Sequence, residues 1–373
     1  MKFEEILGQS EIKEKLIQSY MNNRVSHSYL FFGTAGSGKL GLAIAFAQYL
    51  SCTNKQENDS CGQCPSCKKY EKLIHPDLHF VFPVITEAGK KKISDAFISE
   101  WREMILSDVY VSYNEWMQNL GSQNKQGLIS VDESAEIIRK LSLKSFESEY
   151  KIMIIWLPEK MHVSCANKLL KILEEPPHNT IFILVSDERE SVLPTILSRT
   201  QAVKILGIDD DIMEKHIIDK YNLSAQEAKD IVRISNGSYV EAKQQILANE
   251  ENKFNLKQFI HFMRLTYSRN IAEALTWAED MAKIGREPQK SFLKYSSILI
   301  RENFVYNFND NNIYYLTKEE EEFARNFARF LNSENVNSIA KIFDDAHYGI
   351  ERNGAAKIIF TDIAFLVMRV IRK

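Results

Sequence analysis

Up to about residue 206 the chain alternates short apolar runs with stretches in which apolar residues recur every three or four positions. The runs fall at 29–32, 78–82, 152–156, 181–185 and 202–205, the second and last each holding one polar residue, His79 and Lys204. Strands of this kind need cover on both faces, which parallel strands between two layers of helices receive. The intervening periodicity predicts helices near 11–21, 39–51, 131–143 and 163–175. In the last of these Val163, Ala166, Leu170 and Leu173 share one face, and Pro176-Pro177 stops the helix. Strand and helix in alternation predict an α/β doubly wound domain over 1–206.

Beyond residue 208 the strand pattern ends. Helical periodicity follows at 209–220, 225–234, 239–248, 253–283, 288–308, 318–332, 334–349 and 352–371, with Gly237 marking a break. We read a small all-α domain over 207–270 and a larger all-α domain over 271–373. Residues 83–128 fit neither pattern. They hold the basic run Lys90-Lys91-Lys92 and the aromatic residues Trp101, Tyr110, Tyr113 and Trp116. Aromatic residues so spaced pack inward more often than they face a partner or DNA, so a helical insertion on the sheet is expected.

Composition narrows the function. Hydrophobic residues make up 45% and charged residues 26% of the 373 positions, which excludes a disordered chain. The formal net charge of -3 offers no overall positive field for nucleic acid, so DNA contact would need a local patch or partner subunits. The start, Met1-Lys2-Phe3-Glu4-Glu5, lacks the basic-then-apolar order of a signal peptide, and no apolar run reaches membrane-spanning length. A cytoplasmic location without a membrane partner is expected.

Gly33-Thr34-Ala35-Gly36-Ser37-Gly38-Lys39-Leu40 stands between an expected strand and an expected helix, the setting of a phosphate-binding P-loop. Gly33, Gly36, Ser37 and Gly38 would wrap ATP or ADP with backbone N–H groups, and Lys39 would reach the outer phosphates. The position after the lysine calls for a hydroxyl that ligates magnesium, and here it is Leu40. A second strand should end in an acid that holds magnesium and a second acid that activates water. The 152–156 run is instead followed by Leu157-Pro158-Glu159, with Glu159 out of register. Nucleotide binding without efficient hydrolysis is expected.

Four of the five cysteines lie close together: Cys52, Cys61, Cys64 and Cys67. Thiolates at this spacing can converge on one tetrahedral zinc ion, with an iron–sulfur cluster as the chemical rival. No His or Glu stands within 61–67, so the zinc would be structural. Cys165, inside an expected helix, reads as a small buried hydrophobe.

These features together resemble the clamp-loader family of AAA+ proteins, on its bacterial gamma/tau and delta-prime branch. The resemblance rests on Ile6-Leu7-Gly8-Gln9, on His27 through Gly33 leading into the loop, and on the four cysteines. It rests also on the stretch Asn167 through Glu174-Glu175-Pro176-Pro177, and on Leu197-Ser198-Arg199-Thr200, where Thr200 departs from the family's cysteine. It covers residues 1–206 and extends to the rest only in length and class. The resemblance implies a lid at 207–270 and an oligomerising collar at 271–373. It implies a hetero-pentameric ring with gamma/tau and delta subunits that loads a sliding clamp on primed DNA during replication by DNA polymerase III. It makes Arg199 an arginine finger aimed at a neighbouring subunit's ATP, a role contributing on the order of 10³–10⁵ in rate. It also places Val240 where motor subunits carry a sensor arginine. Loss of the chain's own magnesium chemistry with retention of Arg199 implies the non-hydrolytic, delta-prime-like stator. The alternatives are a motor ATPase of the same family and, more remotely, an unrelated zinc-containing nucleic-acid-binding protein.

Overall fold

A computed structural model describes residues 1–85, 93–121, 126–308 and 314–372; the basic run Lys90-Lys91-Lys92 lies outside the described residues. All five expected strands form: β1 (Ser28–Gly33), β2 (Leu78–Val81), β3 (Lys151–Trp156), β4 (Thr180–Ser186) and β5 (Gln201–Ile205). They make one parallel sheet in the order β2-β3-β4-β1-β5. Successive side chains leave opposite faces of a strand, and two separate cores follow. Tyr29, Phe31, Ile152, Ile154, Ile181 and Ile183 join the core that contains the wholly buried helix Lys39–Ser51. Leu30, Met153, Ile155, Phe182 and Leu184 join the core formed with helices Val131–Ser142 and Val163–Glu174. This is the doubly wound α/β arrangement. The edge strand β5 departs from the two-sided cover expected of it. Only Ile205 is buried, while Gln201, Ala202 and Lys204 face solvent.

Helix Val163–Glu174 forms within a residue of its expected bounds and presents most of the expected face. Ala166 and Leu173 are buried with Cys165 and Leu169, and Leu170 packs against the same core, whereas Val163 is 56% exposed. The His162 ring caps the helix by accepting from Ser164 N–H at 3.1 Å, which starts the inward face two residues beyond Val163.

The insertion is helical and packs inward as expected, through Ile98–Ser107 and Tyr113–Asn119. Trp101 stacks on Phe82 with ring centroids 4.2 Å apart. Trp116 sets its edge against both rings and donates its indole N–H to Pro83 O at 2.7 Å, so the only polar atom of a fully buried ring is paired. Farther along, the chain entering β3 is tied down by Asp77. Its carboxylate accepts the consecutive amides of Phe146, Glu147 and Ser148 at 2.6, 2.8 and 2.9 Å, while the Phe146 ring stands 80% exposed.

The chain divides into two compact units, Met1–Gln245 and Ile246–Lys373. The second is helical, with a core around Phe259, Phe262, Trp277, Phe292, Phe343 and Phe360. Two expected helices, 239–248 and 253–283, are divided elsewhere than the sequence suggests. One helix runs Tyr239–Ser268 and the next Ile271–Lys283. Asn249-Glu250-Glu251-Asn252 contains nothing that must end a helix. The break comes at Arg269, which takes a positive φ of 56°, and at Asn270, whose side chain caps Glu273 N–H. Among the described residues no helix is long and apolar enough to cross a membrane.

Candidate functional site

The phosphate loop occupies the turn from β1 into helix Lys39–Ser51. Gly33 has φ 144°, and a Cβ there would lie 1.9 Å from Ile205 O. Gly36 has φ 72°, and a Cβ would fall 2.7 Å from both Ser238 Oγ and Val240 N. Only glycine fits these two positions, because β5 and the start of helix Tyr239–Ser268 press directly on the loop. Tyr239 N–H donates to Gly36 O at 3.2 Å. Gly38 adopts φ 88° at the helix cap, beneath Ile6 and the Tyr110 ring. Ser37 is fully buried, with its hydroxyl unpartnered.

Lys39 is buried and turned back on its own loop. Its ammonium donates to Gly33 O at 3.0 Å and Thr34 O at 2.5 Å, and it pairs with Asp187 Oδ1 at 2.9 Å. Leu40 points into the core at 5% exposure, where no hydroxyl could reach a metal. At the end of β3, where an acid pair would hold magnesium, stand Trp156 and Leu157. Both are buried, and Leu157 has a positive φ of 56°. Val240 is buried beside Gly36.

One acid escaped the sequence reading, and a second, Glu159, takes a part that the sequence did not suggest. Asp187 directly follows β4, and β4 lies next to β1 in the sheet; the acid after the 181–185 run was visible, but that strand order was not. Glu159 sits in the short turn after β3 and accepts from Asp187 N–H at 3.3 Å through one oxygen, leaving the other buried and unpartnered. Desolvation holds its carboxyl above the ordinary glutamate value.

A strap from the insertion reaches the same place. Tyr110 accepts Leu7 N–H at 2.7 Å and packs edge-on to Tyr239 at 4.8 Å, while Lys243 binds Asp108 at 2.9 Å and Tyr110 O at 2.6 Å.

At the other end of helix Lys39–Ser51, Cys52, Cys61, Cys64 and Cys67 converge. Their sulfurs lie within 4.8 Å of one another, with Cys52–Cys61, Cys61–Cys67 and Cys52–Cys64 at 3.6, 3.9 and 4.0 Å. Tetrahedral zinc with Zn–S of about 2.3 Å sets sulfurs about 3.8 Å apart, so the four thiols fit that ion. Backbone N–H groups of residues 61, 63, 64 and 67 point at the sulfurs, as thiolates require. Burial opposes ionisation of Cys64, but hydrogen bonds from Cys67 N–H and Thr53 outweigh it and bring the thiol down to about 6. Cys165 is fully buried in the helix, as expected.

Arg199 follows the short helix Pro194–Leu197. It donates to Glu174 Oε1 from Nε at 2.7 Å, and to Thr195 O at 2.8 Å and Ser198 Oγ at 3.1 Å from Nη1. The guanidinium is thus held by Glu174, at the end of helix Val163–Glu174, and remains partly exposed at 28%.

A parallel sheet whose β1 runs through a glycine-rich loop into a lysine-led helix defines a P-loop α/β protein of AAA+ type. The family model described as "DNA polymerase III, delta subunit" matches residues 8–209, more than half the chain. The chain belongs to that family, a clamp-loader family of AAA+ proteins. Among similar proteins, DNA polymerase III subunit delta' of Bacillus subtilis is 28% identical over 61% of this chain and 56% of its own length. The tau subunit of Bacillus subtilis is 27% identical over 61% of this chain and 33% of its own length. The tau/gamma subunit of Haemophilus influenzae is 26% identical over 58% and 25%. The chain therefore spans between a quarter and just over half of these relatives. A DNA polymerase III gamma subunit-related protein from Thermotoga maritima aligns over 98% of this chain and all of its own, with 14% identity and a TM-score of 0.35.

Proposed function

We propose that this chain is the non-hydrolysing, delta-prime-type subunit of a bacterial clamp loader. In this reading 207–270 serve as lid and 271–373 as collar in a ring with gamma/tau and delta subunits. The ring uses ATP to place a sliding clamp on primed DNA. The observation that carries the choice is the loop itself: Lys39 is bound to Asp187, Leu40 is in the core, and Trp156-Leu157 replace the acids. Magnesium-dependent hydrolysis has no ligand set here. Arg199, whose planar fork suits a γ-phosphate, would exchange Glu174 for the nucleotide of the adjacent subunit. The four cysteines would hold one structural zinc.

The test is reconstitution with purified gamma, delta and sliding clamp, scoring DNA-dependent ATP turnover with and without this chain. Turnover that depends on the chain, and falls in Arg199→Ala and Arg199→Lys while the complex still assembles, is the expected result. Normal turnover in both variants sinks the finger role. The similar identity to tau keeps a motor subunit as the second reading; steady ATP hydrolysis by the isolated chain would select it. Elemental analysis should give about one zinc and no iron per chain.

A further inference from the structure

An ammonium group has three protons to give. Those of Lys39 have three protein acceptors: Gly33 O, Thr34 O and Asp187 Oδ1. Two of these belong to the loop that should present the lysine to a phosphate, and the third is an anion. Asp187 comes from β4, the neighbour of the loop-bearing strand, and its backbone N–H is itself held by Glu159. The carboxylate pairs with Lys39 beside the start of helix Lys39–Ser51, where the helix dipole favours negative charge. A phosphate offers the lysine the same interaction that the carboxylate already supplies. The two anions cannot both be the close partner of one ammonium without repelling each other at short range.

We propose that Asp187 is a built-in anion that takes the place of a nucleotide phosphate on Lys39, so that the loop excludes nucleoside di- and triphosphates. This rests on the P-loop reading given above and deepens it: the loop is a folded element whose lysine is paired internally rather than offered to a nucleotide. The surroundings agree. Gly36 is covered by Ser238 and Val240, its carbonyl is taken by Tyr239 N–H, and Gly38 lies under Tyr110. The Lys243–Asp108 ion pair fastens these two coverings to each other.

The competing internal anion acts as a tax on nucleotide affinity, because only the fraction of molecules with Lys39 released is competent to bind. Removing the charge while keeping the shape should lift that tax. The experiment titrates the full chain with the N-methylanthraniloyl derivative of ADP, with magnesium and with EDTA. It compares wild type, Asp187→Asn, Asp187→Ser and the double variant Lys39→Ala/Asp187→Asn. Thermal melts confirm that each variant is folded, and the two Asp187 variants guard against one failing to fold. We expect both Asp187 variants to bind at least about tenfold more tightly than wild type in either buffer, and the double variant to return to the wild-type level. Equal affinity of wild type and Asp187→Asn, including the case in which neither binds, overturns the proposal. So does weaker binding of Asp187→Asn in magnesium only, which would make Asp187 a metal ligand. Failure of the wild-type chain to support the reconstituted loader would count against the proposed function and leave this titration standing.

Discussion

The two ends of helix Lys39–Ser51 carry two candidate ligand sites with opposite arrangements. At its N-terminus the phosphate loop keeps its glycines and lysine but directs them at the protein itself, through Asp187, Tyr239 and the loop carbonyls. At its C-terminus the cap residue Cys52 opens a cluster in which all four sulfurs and the surrounding N–H groups are still aimed at one point. The lysine of the first is paired within the fold; the second converges on a point that one zinc ion would fill. The lesson is that the presence of a motif and the use of its chemistry are separable. They are told apart by where the motif's polar groups end.

The comparison breaks most visibly at the cysteines. Structural zinc contributes about 10–16 kcal/mol in small peptides, so Cys64→Ser should lose the metal and unfold residues 52–71. Loss of one zinc equivalent and rapid hydrogen exchange in that segment would register it. A Cys64→Ser chain that keeps both its metal and its exchange protection would remove the contrast. The loop should respond to geometry instead. Gly36→Ala puts a Cβ into Ser238 and Val240 at φ 72°, and we expect a loss of about 2–4 kcal/mol in a denaturant melt. Gly121→Ala, also at positive φ but with no described residue within 4 Å of the added Cβ, should cost no more than about 1–2 kcal/mol.

A subtler test concerns Glu159, the support of Asp187. Burial raises its carboxyl above the ordinary value of 4.5. The folded state then holds this proton more tightly than the unfolded chain does. Its contribution to stability therefore declines as pH rises from the unfolded value through the raised one, and the penalty is complete above both. Glu159→Gln removes the titration, so its melting temperature relative to wild type should climb as pH rises above the ordinary value of 4.5. A gap that stays constant as pH rises would contradict the burial of a charge at this place. The smallest effect is expected at Arg199. Its pair with Glu174 is partly exposed, and Arg199→Ala should cost the isolated chain only about 0.2–1 kcal/mol. A much larger loss would make the arginine a structural strut and leave little room for a role toward a neighbour.

Much of this was legible in the sequence. Strands β1, β3 and β4 were announced by unbroken apolar runs because both their faces are covered, and the four cysteines by their close spacing along the chain. The loop was legible as a motif, but its present state was not. Asp187 lies 148 positions from Lys39 (187 minus 39), and only the strand order that sets β4 against β1 brings the acid to the lysine. Tyr110 and Tyr239 likewise meet through tertiary structure alone. Val163 alone was misplaced on the inward face of helix Val163–Glu174, because it directly follows the cap at His162, and apolar spacing does not record the cap. The missed break at Arg269 has the same origin: a left-handed residue and an asparagine cap leave almost no hydrophobic signature.

The carboxylate of Asp77 gives the surface a property that exposure alone would misstate. Phe146 is a bulky, solvent-facing aromatic residue, and chymotrypsin cuts after such residues. A protease, however, must draw several residues of its substrate into an extended strand. The amides of Phe146, Glu147 and Ser148 all converge on Asp77, so that strand cannot form without breaking three hydrogen bonds to a charged group. The bond after Phe146 should therefore resist limited digestion of the native chain, and Asp77→Ala should convert it into an early cleavage site. Accessibility to water and accessibility to an enzyme's cleft are different quantities here, and one buried-end carboxylate sets the difference.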